Sequence, residues 1–145
     1  MKQLLVILTS LCLFFPSISQ ARDTKHMLSI DDAMQSSDFQ EKLDGSIKLY
    51  FGDQTHSKVV SKAGNFTTNK KTNAVGKSDE RACNWVFLSA LLALQERAKA
   101  EGANAVVNIS SYYKKNKVSS SSEFECHAGA IMAGVALNAD VVTLK

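Results

Sequence analysis

The 145-residue sequence predicts an α+β domain, an antiparallel sheet packed by one long helix and tied by a disulfide. Three observations carry that expectation. Asp79 to Glu101 has the caps and apolar spacing of a single long helix, short strand-like runs lie on both sides of it, and Cys83 and Cys126 are the cysteines that remain once an export leader is removed.

The leader comes first because the cysteine argument rests on it. Lys2 supplies a positive charge, Leu4 to Phe15 is almost wholly apolar, Pro16 ends the run, and Ser19-Gln20-Ala21 places small residues ahead of Arg22. Residues 1–21 thus have the form of a cleavable signal peptide, cut between Ala21 and Arg22. The apolar run is shorter than the roughly 18–20 residues that span a bilayer, so no transmembrane span is expected after cleavage. Cys12 offers an alternative as a lipidation site, but Leu11 stands where that chemistry wants a small residue, and cutting there leaves a very short apolar core.

Beyond the leader the sequence divides into an N-terminal arm with a short helix, 22–45, and an α+β domain, 46–145. Loss of Lys2 takes the 17 Lys and Arg to 16, against 14 Asp and Glu. The excess is small and spread along the chain. Its densest basic run, Lys114-Lys115-Asn116-Lys117, adjoins Tyr112 and Tyr113, and it suits a solvated hairpin tip better than the broad basic stripe of a nucleic-acid-binding protein. No nucleic-acid partner is expected.

Arg22 to Leu28 reads as a loose arm. Ser29 then caps a short helix that starts with Asp31 and Asp32 in its first turn, where carboxylates favour the positive end of the helix dipole. Leu43-Asp44-Gly45-Ser46 has turn chemistry, and Ile47 to Phe51 alternates as a half-buried strand until Gly52-Asp53. A weak strand covers His56 to Val60, and the threonine-rich Asn65 to Asn73 fits either an edge strand or an ordered loop.

The long helix starts at the N-cap Ser78, carries Asp79 and Glu80 in its first turn, and stops at Gly102. Cys83, Phe87, Ala90, Leu91, Leu94 and Ala98 form one apolar stripe. Trp85, Leu88 and Leu92 form a second, to be covered by the N-terminal segment or by another subunit. Ala105 to Ile109 is a short apolar strand, Tyr112 to Glu123 an exposed hairpin connection, and Phe124 to Leu137 a returning strand rich in Gly and Ala. A turn at Asn138 to Asp140 precedes a last strand, Val141 to Leu144.

This layout brings the cysteines level. From Cys83 to Gly102 a helix climbs about 28 Å at roughly 1.5 Å per residue, and Asn104 to Ser111 descends about 26 Å at roughly 3.3 Å per residue. Cys126, a few residues into the returning strand, then lies beside Cys83, and an oxidising compartment favours the bond.

Sharper chemistries find little support in the spacing. Gly76-Lys77-Ser78 opens a helix as the end of a phosphate loop does, but Lys71 stands where the first glycine of that motif belongs. Cys83, Cys126 and His127 with His56 are residue types that bind zinc or copper, yet no CxxC or HxxxH spacing is present. Cys126 and His127 fall on opposite faces of a strand, which also separates them as nucleophile and base. His26 and His56 read as surface residues. No catalytic residue, metal ligand or cofactor site is therefore expected.

Ser78-Asp79-Glu80-Arg81-Ala82-Cys83, Gly102-Ala103-Asn104-Ala105-Val106-Val107-Asn108-Ile109 and Glu125-Cys126-His127-Ala128-Gly129-Ala130 resemble a family of small exported bacterial proteins of unassigned activity. Members often carry the description "excinuclease ATPase subunit", which does not suit a chain with a leader and no phosphate loop. The C-terminal half is also similar, more distantly, to the RcsF and YbjQ-like group, which includes an envelope-stress sensor lipoprotein with disulfides. The resemblance covers roughly half the mature chain and implies a bridged α+β domain for Cys83 and Cys126. The chain keeps two cysteines where RcsF has four. Together these features lead us to expect a periplasmic or secreted, non-catalytic protein that binds an envelope protein or senses stress. The alternative is a small-ligand or metal-binding module, oligomeric as YbjQ-like proteins are.

Overall fold

The computed structural model describes residues 21–145, so the expected leader and Cys12 lie outside the described residues. The elements run β1 (Thr24–Ser29), α1 (Ile30–Gln35), α2 (Ser37–Lys42), β2 (Lys48–Phe51), β3 (Val59–Asn73), α3 (Asp79–Ala100), β4 (Ala105–Ser111), β5 (Glu123–Ala128) and β6 (Met132–Leu144), with a 3-10 turn at Tyr113–Lys115.

The fold is α+β, with α3 packed on a six-stranded sheet. Ser78 caps α3 by accepting a hydrogen bond from the Arg81 amide at 3.2 Å, and Gly102 follows the helix at φ 67°, a conformation a side chain would strain. All six residues of the first predicted stripe are buried. At the centre of the core Phe87 stacks on Phe124, with ring centroids 3.8 Å apart, and packs tilted against Phe39 and Phe51 at 5.8 and 6.0 Å. The second stripe is divided. Leu88 is buried in the same core as Phe39 of α2, whereas Trp85 remains 45% exposed.

The spine of the sheet is β6. One of its edges carries β3 from end to end, and the other takes β5 at its start and β4 farther along. β1 lies outside β5, and β2 lies outside β4. Every pairing is antiparallel except that of β2 with β4, so the sheet is mixed. β3 and α3 intervene between those two strands and supply the long crossover that a parallel pair requires.

Several elements differ from expectation. The predicted loose arm is β1, which pairs residue for residue with β5 from Thr24↔Ala128 to Ser29↔Glu123. Residues 22–45 therefore contribute a strand to the sheet. His56 to Val60 and Asn65 to Asn73 are not two weak pieces, because one 15-residue strand begins at Val59, leaves His56 to Lys58 outside it, and runs unbroken through Asn73. β4 and β5 are not joined as a hairpin. They sit end to end along one edge of β6, linked through the Ser111↔Val118 bridge and the Glu125 amide donating to Ser111 Oγ at 2.9 Å.

The expected turn at Asn138 to Asp140 is also absent, since β6 continues through it and the chain reverses instead at Gly129–Ile131. Turn-forming residues lose that tendency when the sheet satisfies their side chains. Asn138 donates to Asn65 Oδ1 and Thr67 Oγ1, while Asp140 accepts from Asn65 and Asn108 and pairs with Lys62 at 2.8 Å. Burial alone would raise the Asp140 carboxyl, but the bonds from Lys62, Asn65 and Asn108 outweigh it and hold it below its ordinary value. Gly129 is required at the true reversal, since a Cβ there would stand 2.7 Å from the Arg22 carbonyl oxygen.

Candidate functional site

The alternation of β5 sends Phe124, Cys126 and Ala128 into the core and turns Glu125 and His127 to the other face. On the core side Cys126 is bonded to Cys83, with the Cα atoms 5.8 Å apart, so the bridge fastens the first turns of α3 to β5 as the sequence predicts. With the partners 43 positions apart in sequence, the chain-entropy model assigns the bridge about 4 kcal/mol as an upper figure. A Cys126–His127 nucleophile pair is not formed.

On the outer face a polar cluster closes over β5. His127 Nε2 donates to Glu125 Oε1 at 2.6 Å, and Lys25 Nζ approaches the second Glu125 oxygen at 3.7 Å. The Tyr113 ring lies flat on the imidazole, with centroids 3.4 Å apart, and its hydroxyl donates to Asp23 at 3.1 Å. Burial first, and then the bond to Asp23, push the Tyr113 phenol above its usual value. His127 Nδ1 is 3.3 Å from Asp23 Oδ1 but out of line for a hydrogen bond, which leaves a buried ring nitrogen without a partner among the described residues. Tyr113 is therefore not part of a solvated tip.

A second group joins β1 to the start of α3. Arg22 donates to both oxygens of Asp79, at 2.7 and 2.9 Å, and to the Gly129 carbonyl at 2.8 Å, while His26 donates to Asp79 at 2.8 Å. The bonds from Arg22, then from His26, hold the Asp79 carboxyl well below the usual carboxylate range. His26 is thus a half-buried partner of α3 and not a free surface residue.

Chemically, both groups act as fasteners. The His127 imidazole has Glu125 at one nitrogen, Asp23 near the other and Tyr113 over one face. Among the described residues no group of three or more His, Cys, Asp or Glu is arranged to hold a metal ion. His56 lies apart, bonded to the Ser57 carbonyl and packed on Tyr50, and is not brought near Cys83, Cys126 or His127. Ser78 is a helix cap, Lys77 turns back to the Asn73 carbonyl, and Asp31 and Asp32 occupy the first turn of α1 under Ser29, whose hydroxyl accepts from the Asp32 amide.

Two further surfaces are open. The far edge of β3 pairs with no strand among the described residues, and a groove lined by Phe66, Thr68, Lys70, Leu94 and Arg97 separates it from α3. Between α2 and the first half of α3 lies a cleft of about 670 Å³, lined by Asp38, Phe39, Arg81, Asn84, Trp85 and Leu88. Neither surface was visible as a motif, because each joins segments distant in sequence. No protein-family model, curated protein or solved structure matches the chain.

Proposed function

We propose that this chain is an exported, non-catalytic protein of the cell envelope that works by binding a partner protein, and that an extended acidic segment of the partner adds to the free edge of β3. The observation that carries this is the edge itself. From Asn65↔Asp140 to Asn73↔Met132 the strand keeps one-to-one register with β6, so its other side offers a regular row of backbone donors and acceptors. Register shifts fall only between Val59 and Gly64, where they bend the edge and blunt it.

Charge supports an acidic occupant. Val59–Asn73 contains Lys62, Lys70 and Lys71 and no carboxylate, and Arg97 lines the adjoining groove. A second copy of this strand suits the edge poorly, since full antiparallel overlap is centred on Phe66 and sets Lys62 against Lys70. The disulfide accords with an oxidising, periplasmic or secreted location, and the resemblance to the RcsF group favours a role in stress sensing. The test is a photo-crosslinking residue at Asn69 in living cells, compared with one at Ser121. An adduct to one acidic protein from Asn69, lost in Lys70→Glu, is the expected outcome. Equal labelling from both positions, or none, overturns the proposal.

A second reading, a small-ligand or metal-binding module, is favoured by the cleft beneath the exposed Trp85. Native mass spectrometry with elemental analysis of the protein from the envelope tests it. A bound molecule, a metal or a ring of subunits supports this reading, and a bare monomer overturns it.

A further inference from the structure

The end of the molecule formed by the β5–β6 turn presents apolar side chains ringed by cations, and the geometry points to an anionic bilayer surface as its partner. Ile131 is 65% exposed and Met132 45%. Val75, 60% exposed, stands beside them, because the Ala74 amide donates to the Ile131 carbonyl at 2.7 Å. Such residues at a reversal leave much of their apolar surface in water. Their exposure has a physical use where they enter a less polar phase.

The unpaired charge around this tip is positive, although Asp23 also lines the cleft. Lys71 lines the same cleft of about 580 Å³ as Ile131 and Met132, Lys77 reaches only the Asn73 carbonyl, and Lys114 lies 5.2 Å from the Tyr113 ring that borders the cleft. None of the three has a carboxylate within ion-pair distance among the described residues. The nearby acids are engaged otherwise, Asp79 by Arg22 and His26, Glu125 by Lys25 and His127, and Asp23, at the cleft itself, by the Tyr113 hydroxyl. Free cations beside exposed apolar groups are the two elements of interfacial binding to anionic lipid.

The course of the chain selects a membrane over a protein. Ala21 lines this cleft, so residues 1–20, with the apolar run Leu4 to Phe15, join the domain at the tip. If that run is kept, an apolar segment leaves the domain at the bilayer-facing end. If it is cut after Ala21, the new α-ammonium group of Arg22 adds another cation there. Both forms draw the same end toward anionic headgroups, and the free edge of β3 is left open along the side of the sheet.

Flotation of the protein, as isolated from the envelope, with vesicles of phosphatidylglycerol and phosphatidylethanolamine against vesicles of phosphatidylcholine alone tests the inference. Binding to the anionic vesicles is expected to be at least about tenfold stronger and to fall as salt is raised. Ile131→Asp should lose most of it, and Lys77→Glu should narrow the preference between the two vesicles. A retained disulfide and an unchanged near-ultraviolet circular dichroism spectrum show that each variant is folded. Equal binding to both vesicles, full binding by Ile131→Asp, or no vesicle binding at all overturns the inference. The last result, together with an adduct to a protein from position 131, would assign the tip to a protein.

Discussion

The two faces of β5 are held by different forces, although their residues alternate along one six-residue strand. Toward the core, Phe124 stacks on Phe87 and Cys126 is covalently joined to Cys83, so that side depends on apolar burial and on the redox state of one bond. On the outer face, Glu125 and His127 are held by hydrogen bonds and charge to Lys25, Asp23 and Tyr113. The first arrangement can be opened by reductant, and the second by removing a hydrogen-bonding or charged partner. β5 therefore has a covalent anchor to α3 on one side and a polar one to β1 and the β4–β5 connection on the other.

The largest effect should come from the covalent side. Replacing both cysteines, Cys83→Ala with Cys126→Ala, should lower stability by up to about 4 kcal/mol, read from denaturant unfolding. The His127 ring resonances should stay near their original positions, because the outer network does not touch the bridge. If those resonances collapse to random-coil values under native conditions, the two faces are one cooperative unit and the contrast fails.

A middle effect belongs to the outer face. His127→Ala leaves the Glu125 carboxylate, whose side chain is 7% exposed, with only the distant Lys25 ammonium, and should cost about 1–3 kcal/mol. Glu125→Gln keeps an oxygen to accept the His127 proton and should cost less. Equal losses in the two variants would mean that shape and not charge holds this face.

This division also marks what was legible in sequence. The long helix, its caps and its buried stripe follow from local rules, because Ser78, Asp79, Glu80 and Gly102 act within one or two turns of where they stand. The bridge was legible because Cys83 and Cys126 are the pair left beyond the leader, although the hairpin expected to bring them level is replaced by β4 and β5 running end to end in one direction. The outer cluster was not, since Asp23, Tyr113 and His127 meet only when β1 joins the sheet, and nothing in Arg22 to Leu28 has the alternation of a strong strand. The Glu125-x-His127 spacing, which puts two titratable side chains on one strand face, was the single local trace of it. Asn138 and Asp140 misled for the opposite reason, as their turn tendency is overridden by partners on β3 and β4 that local rules do not see.

The smallest effect, and the finest test of the contrast, lies at Asp79. Its carboxyl is held well below the usual range by Arg22 and His26, so its pKa is lower in the folded chain than in the unfolded one. The contribution of that shift is complete above the unfolded value of about 4 and is lost as pH falls below it through the folded value. Exchange protection of the β1 amides, corrected for intrinsic rates, should thus be level from neutral pH down to about pH 5 and erode in stronger acid. Asp79→Asn should loosen β1 already at neutral pH and flatten the acid dependence, while the amides of α3 beside Cys83 keep their protection. Acid erosion of equal size in wild type and Asp79→Asn would show that the acid sensitivity does not arise at Asp79. Parallel loss in β1 and α3 would show instead that the polar fastener and the disulfide report one global opening.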